Sequence, residues 1–492
     1  MSKMTRILLA LGLILAVATP ALAEFKLNGY YRLMGYSAEV RSDANANVLT
    51  GSGAGLGLAQ PNGQDEKGDS RQFVDQRLRL MATYDLNDNV GIVYFAEIDT
   101  VWGTAGGALG ADNVNVETKN AYLNLKSGDT AAKLGVHAVN DGVYQGVMYN
   151  DDMAGLSVTH KIGSMTLNAL YAKLWEDSRS YDDDTDLYTV GAKMKVSDNF
   201  TFGADVFYLD VNDAQNVYNS TAASYLPASL WYVQPGGTYP FASDRLDMEV
   251  WTVGLNAAAA FGNFKLDGFA LYQDLALDLN NDPNHGSDSA DGNSWLATVK
   301  GTLKLGNGDV GARFLYVSPN DDSDGVDQWV GNLGEYEFPG ENLMQFMVDA
   351  FVCNYGKESY AWQDSVDQGY GLMAFMLSGN HNLPQAMYLK WGAGYFLAAD
   401  DKADGATGLY GKRGSVGGDE LGWEVAARIG KKFFEKVDVS LNASYADFGD
   451  FYDKTAITSR TGAGTNDSPY VWTGGDDPDA TYKAYLMVNV PF

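Results

Sequence analysis

From Trp251 onward the chain alternates with a period of two. Trp251, Val253, Leu255, Ala257, Ala259 and Phe261 occupy one set of positions, and Thr252, Gly254, Asn256, Ala258 and Ala260 fill the other. Gly262 and Asn263 interrupt the run. Phe264, Leu266, Gly268, Ala270 and Tyr272 then alternate with Lys265, Asp267 and Gln273. The pattern returns at Leu421, Trp423, Val425, Ala427 and Ile429, and again at Val437, Val439, Leu441, Ala443 and Tyr445. Successive side chains of a strand point to opposite faces, whereas a helix repeats every 3.6 residues, so these segments are two-faced strands.

The breaks between strands come in two kinds. Short ones (Asn87-Asp88-Asn89, Ser127-Gly128-Asp129, Ser197-Asp198-Asn199, Gly262-Asn263, Gly306-Asn307-Gly308) supply residues that tolerate tight hairpin geometry. Long, polar, acidic ones cover 41–70, 211–247, 319–366 and 449–479. Regular alternation of short and long is the asymmetry of outer-membrane barrels, with short turns on the periplasmic side. The expected fold is therefore all-β: one transmembrane antiparallel β-barrel of about 18 strands, with 16 as the alternative count, running from Phe25 to Phe492 over residues 24–492. Within the 319–366 connection, Leu343, Met344, Phe346, Met347, Ala350 and Phe351 are spaced as on a helix, so 343–351 is expected to form a short amphipathic helix.

The two ends agree with a membrane barrel. Lys3 and Arg6 precede an apolar run at 7–17, and small residues lead to Ala21-Leu22-Ala23, which reads as a signal peptide over 1–23. That run is too short to span a hydrocarbon core, which takes ~20 apolar residues. At the other end, Phe492, Val490, Val488, Leu486, Ala484 and Tyr482 form one apolar row. A terminal strand of this kind must pair with the first strand to remove the sheet edges. It is similar to the terminal recognition signal of bacterial outer-membrane proteins, and Tyr482, Leu486, Val488, Val490 and Phe492 are expected to be read by the barrel assembly machinery. The mean hydropathy of -0.21 fits a barrel, where lumen, turns and loops outweigh one lipid-facing row. The 56 glycines and 12% aromatic residues are spread from end to end, which favours a single domain.

Charge and chemistry narrow the function. A net charge of -29 excludes nucleic-acid binding by bulk electrostatics. Cys353 is the one cysteine, so there is no intrachain disulfide and no haem-attachment motif, and no cofactor is expected. His137, His160, His285 and His381 are scattered without metal-ligand spacing or a serine or carboxylate partner in register. No catalytic residues are therefore assigned, and the chain is read as a non-enzyme. The stretch Asn320-x-Asp322-x-Asp324-Gly325 echoes a calcium loop, but Gly331 stands where the bidentate glutamate belongs.

Alternation also assigns a lumen. Arg32, Arg71, Asp75, Arg77 and Arg79 fall opposite the apolar rows of the first two strands, and Glu97 and Asp99 do so in the third. Lys193, Lys195, Lys265 and Arg313 follow later. Arginines facing carboxylates would set a field across a narrow eyelet and bias which ions pass. The acids lie mostly in loops (Asp182, Asp183, Asp184; Asp321, Asp322, Asp324, Asp327; Asp476, Asp477, Asp479), where they would gather cations and bridge divalent ions to lipopolysaccharide.

Two stretches carry a family likeness: Glu24-Phe25-Lys26-Leu27-Asn28-Gly29-Tyr30-Tyr31-Arg32, and Asp75-Gln76-Arg77-Leu78-Arg79-Leu80 continuing through Val93-Tyr94-Phe95-Ala96-Glu97 to Thr100-Val101-Trp102-Gly103. Together they resemble the homotrimeric porins of sulfate- and metal-reducing bacteria. The resemblance implies a trimer of water-filled pores in the bacterial outer membrane, passing small hydrophilic solutes and ions by diffusion. Two other readings stand beside it. One is a barrel sheath for an electron conduit, which would need a multihaem cytochrome partner to fill the lumen. The other is a substrate-specific channel.

Overall fold

The computed structural model describes residues 24–39, 70–103, 114, 116–176, 184–212, 246–282, 286–320, 327, 329–331, 333–334, 343–348, 361–366, 369–401, 417–452 and 480–492. The signal-peptide expectation for 1–23 lies outside them. The strands are β1 (Glu24–Glu39), β2 (Ser70–Asn87), β3 (Val90–Val101), β4 (Glu117–Ser127), β5 (Thr130–Asn140) and β6 (Tyr149–Ile162). Next come β7 (Met165–Trp175), β8 (Thr185–Ser197), β9 (Phe200–Val211), β10 (Leu246–Phe261), β11 (Phe264–Asp282), β12 (Gly286–Leu305) and β13 (Gly308–Val317). The chain finishes with the two-residue β14 (Leu333–Gly334), then β15 (Leu372–Leu383), β16 (Met387–Leu397), β17 (Glu420–Phe433), β18 (Val437–Phe448) and β19 (Thr481–Pro491).

Each wall strand pairs antiparallel with its sequence neighbours, β13 pairs with β15, and β19 pairs with β1. The wall is thus a closed barrel of eighteen strands, and β14 stands apart from it, pairing in parallel with Tyr149 and Asn150 of β6. Closure is continuous to the last residue: the amides of Gly29 and Phe492 each donate to the other's carbonyl, at 3.1 and 3.0 Å. Lipid offers backbone groups no partners, so only a closed sheet can stand there.

The two faces divide as the alternation requires. Trp251, Val253, Leu255 and Phe261 are exposed on the outside, while Thr252, Gly254 and Asn256 between them are buried inside. Along β19 and the residue after it, Tyr482, Leu486 and Phe492 are exposed and Thr481, Lys483 and Tyr485 are buried. One residue departs from its expected face: Leu421 is fully buried rather than lipid-facing. The register between β16 and β17 shifts there, with Phe396 opposite Gly422 and Leu397 opposite Glu420, and the extra residue turns inward.

The outer surface also records the membrane. Tyr188, Tyr208, Trp251, Tyr272, Trp295, Tyr395, Trp423 and Tyr445 all lie on the outer face near the ends of their strands away from the short turns. Tyr208 stacks on Trp251 at 4.3 Å between ring centroids, and Tyr188 on Tyr208 at 6.0 Å. Phe200, Phe261, Phe264 and Phe433 mark the opposite rim. Roughly ten residues separate the two girdles, which at ~3.3 Å per residue and a ~40° tilt is ~25 Å, the height of an outer-membrane apolar band.

The lipid-facing rows are the test of this register. Leu255→Arg and Leu441→Arg, at 50% and 53% exposure on the outer face, should each cost ~2–4 kcal/mol of folding free energy in detergent or lipid. Asn380→Arg, exposed on the inner face of β15, should be near neutral. Asn256 and Asn442 also point inward but are buried in hydrogen-bond networks, so Arg there should fall between the two. Equal tolerance at Leu255, Leu441 and Asn380 would contradict the register.

Candidate pore lining

The lumen is occupied. Many inward residues of β8–β16 in the half away from the short turns are apolar and buried, Leu187, Leu209, Met248, Leu271, Leu296 and Leu315 among them. In a membrane barrel an inward leucine is buried only if something inside covers it. The cover is the long connection between β13 and β15. Its Trp329, Val330, Met344, Phe346, Met347, Trp362 and Val366 all join one apolar cluster with those wall residues. Fully burying each such side chain is worth ~1.5–3 kcal/mol.

Two polar anchors fix this connection. On one side, Gln273 of β11 both donates to the Val330 carbonyl and accepts from the Val330 amide, each at 2.7 Å. Asp327 accepts from the Asn293 amide of β12 at 2.7 Å. On the other side, Glu424 of β17 is fully buried and receives three consecutive backbone amides, those of Gln345, Phe346 and Met347, and the hydroxyl of Ser444. The Phe346 and Met347 bonds are 3.1 and 2.8 Å. Lys483 of β19 lies over the Phe346 ring, 5.7 Å from its centroid. Gly394 makes room on the wall: a Cβ there would come within 2.6 Å of the Phe396 ring and 2.9 Å of the Met344 sulfur.

This geometry corrects the helix expected at 343–351. The described part, 343–348, forms turns, and every one of its residues is buried, including Gln345. The amides of 345–347 bond to a side chain on the wall, so they do not complete helical bonds. Apolar residues at helical spacing arise here because the segment is enclosed all round.

A second connection, between β5 and β6, also turns inward. Asp141 accepts the amides of Gly146 and Met148 at 2.7 and 2.8 Å and shapes the turn. The turn carries Tyr144, fully buried, whose hydroxyl donates to Asp205 of β9 at 2.7 Å and accepts from Asn256 of β10 at 3.1 Å. Gly254 leaves room for it: a Cβ would sit 2.5 Å from the Tyr144 hydroxyl.

The sector of β1–β4 is different. Arg32, Arg77 and Arg79 lie on adjacent strands, with Arg32 opposite Arg77 in register, Arg77 opposite Asp99 and Arg79 opposite Glu97. Arg77 bonds Asp99 through two nitrogens, at 2.7 and 2.5 Å, and reaches Glu97 at 3.3 Å. Arg79 bonds Glu97, and Arg32 stands 3.9 Å from Asp75. Lys119 of β4 continues the strip, 3.2 Å from Asp152. The arginines therefore meet their carboxylates along one wall, strand to strand, and the three positive and three negative charges cancel. Arg79 and Asp99 keep 21% and 29% of their side-chain surface open, whereas Arg77 and Glu97 are enclosed at 7% and 3%.

Other expected lining residues are not brought to this strip. Lys193, Lys195 and Lys265 face inward near the short turns, with Lys195 on Asp198 at 2.6 Å and Lys265 on Asp267 at 2.8 Å. Arg313 is buried against Thr298 of β12, at 3.3 Å. The Arg71 side chain lies outside the described residues, as do Asp182, Asp183, Asp321, Asp322, Asp324, Asp476, Asp477 and Asp479. The two loop acids that are described are braces rather than solvated charges: Asp184 pairs with Lys173 at 2.5 Å, and Asp327 supports the inward connection. One histidine does have a serine neighbour: His137 Nε2 is 2.5 Å from the Ser157 hydroxyl, and its Nδ1 is 2.9 Å from the Gly135 carbonyl. With a backbone carbonyl in the place of an orienting acid, the pair reads as a buried hydrogen bond.

Glu424, Gln273, Tyr144 and Asp205 were not singled out by sequence reasoning. A signal existed for the first two, since each is a polar residue on an inward row between apolar neighbours.

No protein-family model matches the chain, and no curated protein matches it in sequence. Solved structures do match in fold. OccK8 (OprE) of Pseudomonas aeruginosa superposes with a TM-score of 0.50 at 11% identity, over 95% of this chain and 98% of that one. OpdQ of Pseudomonas aeruginosa and OccAB1 of Acinetobacter baumannii each reach 0.49, at 11% and 12% identity, over 95% of this chain and 97% and 96% of theirs. Nothing in these likenesses bears on sulfate- or metal-reducing bacteria. With its closed wall, aromatic girdles and inward connections, the chain is an outer-membrane β-barrel of porin fold.

Proposed function

We propose that this barrel is a channel for passive diffusion of small hydrophilic solutes and ions, with its path running along the charged strip of β1–β4. The observation that carries the reading is the division of the interior. An apolar cluster runs over the inner faces of β5–β18, and the charged, partly open side chains of β2 and β3 lie outside it. Arg77, Asp99, Gln273 and Glu424 each stand nine or ten residues from the short-turn end of their strands. Water and polar solutes avoid the apolar side and are stabilised on the charged one. The family resemblance adds a homotrimer as the working assembly, which light scattering of the detergent-solubilised protein would test.

The matched charges temper selectivity. A strip with no net charge orients dipoles and exchanges partners with passing ions without excluding either sign. Discrete ohmic steps in planar bilayers and swelling of liposomes in small sugars are the expected behaviour. A barrel that inserts, folds and conducts neither ions nor sugars would contradict the reading.

Each half of the strip should bias the channel when the other is removed. Replacing Arg32, Arg77 and Arg79 with Gln leaves Asp75, Glu97 and Asp99 unopposed and should shift the reversal potential toward cations under a KCl gradient. The amides Asp75→Asn, Glu97→Gln and Asp99→Asn should shift it toward anions. Both shifts should shrink at 1 M salt, where the screening length is ~3 Å. Unchanged reversal potentials at low salt in both triple variants would remove the strip from the conduction path.

A further inference from the structure

We propose that the β17–β18 hairpin carries a phospholipid site on its outer face, where Lys431 takes the phosphate of one anionic glycerophospholipid and Phe434 anchors beside its headgroup. The site lies on the lipid side of the wall, so it stands whether or not the barrel conducts.

Lys431 is out of character with its row. It is the one lysine or arginine on the outward rows of β15–β19. Met387 and Val439 flank it in register, and Ile429 and Leu441, one step further into the apolar band, are 42% and 53% exposed. Its ammonium forms no ion pair with a described residue and stands over the Phe433 ring, 5.2 Å from the centroid. A charge cannot be left facing hydrocarbon, and the four-carbon stem of a lysine lets it reach the interface. Phe433 is two residues nearer the turn, so the ammonium is directed to the short-turn rim. That rim faces the inner leaflet, whose phosphates supply the missing counter-charge.

The turn itself is a second, independent observation. Residues 434–436 join β17 to β18, and Phe434 is 91% exposed, the highest value among the large apolar side chains described. Its φ is 49°, and Glu435 follows at 66°. Gly128, Gly163 and Gly262 take this left-handed conformation in other short turns, whereas a bulky residue is strained by it. Phe434 is thus held in a strained conformation with its ring outside the protein. A membrane interface is where such a ring is stabilised. Over the hairpin tip, Lys431, Lys432 and Lys436 stand against Glu435 alone, in a chain whose net charge is -29. Local positive charge beside an apolar surface selects an anionic headgroup over a zwitterionic one.

Native mass spectrometry of the detergent-solubilised protein, titrated with dioleoylphosphatidylglycerol or dioleoylphosphatidylcholine, counts the lipids retained per chain. Wild type should hold the anionic lipid more tightly than the zwitterionic one. Lys431→Gln should weaken retention of the anionic lipid about five-fold and leave the zwitterionic one nearly unchanged. Lys431→Arg should keep the wild-type preference. Phe434→Ala should weaken both lipids alike, because its contact is apolar. Heat-modifiable gel migration confirms folded barrels. Excess inorganic phosphate should not displace the lipid; displacement would mark a free-anion site and overturn the proposal. Equal retention of the two lipids by wild type would overturn it too, as would wild-type retention of the anionic lipid by folded Lys431→Gln. If Lys431→Gln does not fold, Phe434→Ala in the exposed turn decides, and unchanged retention of both lipids there removes the site.

Discussion

Everything in this molecule follows from the absence of hydrogen-bonding partners in hydrocarbon. A sheet in that medium has no tolerable edge, so β19 must return to β1 and every strand between must be paired on both sides. Closure then commits alternate residues to opposite solvents. Trp251, Val253 and Leu255 meet lipid, and Thr252, Gly254 and Asn256 meet the interior. The sharpness of that division, not a compact core in the soluble sense, is what orders the wall.

A closed wall of this size leaves a wide interior, and the chain fills much of it. The filling is hydrophobic where the β13–β15 connection and the inner faces of β5–β18 share one apolar cluster. It is pinned by polar groups buried at isolated points, chiefly Gln273 and Glu424. Such groups specify position more than they add stability, because their bonds replace ones they would make to water. Apolar packing supplies the hold and the buried polar bonds fix where it sits. The charged strip on β1–β3 works the opposite way: its residues bond one another along the wall, so an open side of the lumen remains polar without a large net field.

The wall was legible in the sequence because its signal is local and periodic. Alternation, the tight turns and the terminal row ending at Phe492 gave strand directions, closure and an eighteen-strand count. Leu421 shows the limit of that signal: a bulge shifts the face of one residue, and its local mark is only the adjacent Gly422, at a φ of 122°. The interior was less legible, since contacts such as Glu424 with 345–347 join residues far apart in sequence. A clue was nonetheless present. Leu372, Met373, Ala374, Phe375, Met376 and Leu377 are apolar on both faces, which a strand bordered by lipid and water would not be. Two-sided apolar strands mean that both faces are covered. Arg77 and Asp99 could be placed on the same face from alternation, but their lateral pairing depends on the register of β2 with β3.

The central claim is that the water path follows β1–β4 and avoids the apolar side. Cysteine accessibility in the conducting channel tests it most directly. In a Cys353→Ser background, Asp99→Cys and Leu271→Cys would each be exposed to a charged, membrane-impermeant thiol reagent while current is recorded. The account predicts rapid loss or reduction of current for Asp99→Cys and no change for Leu271→Cys. Block at Leu271→Cys together with silence at Asp99→Cys would contradict it.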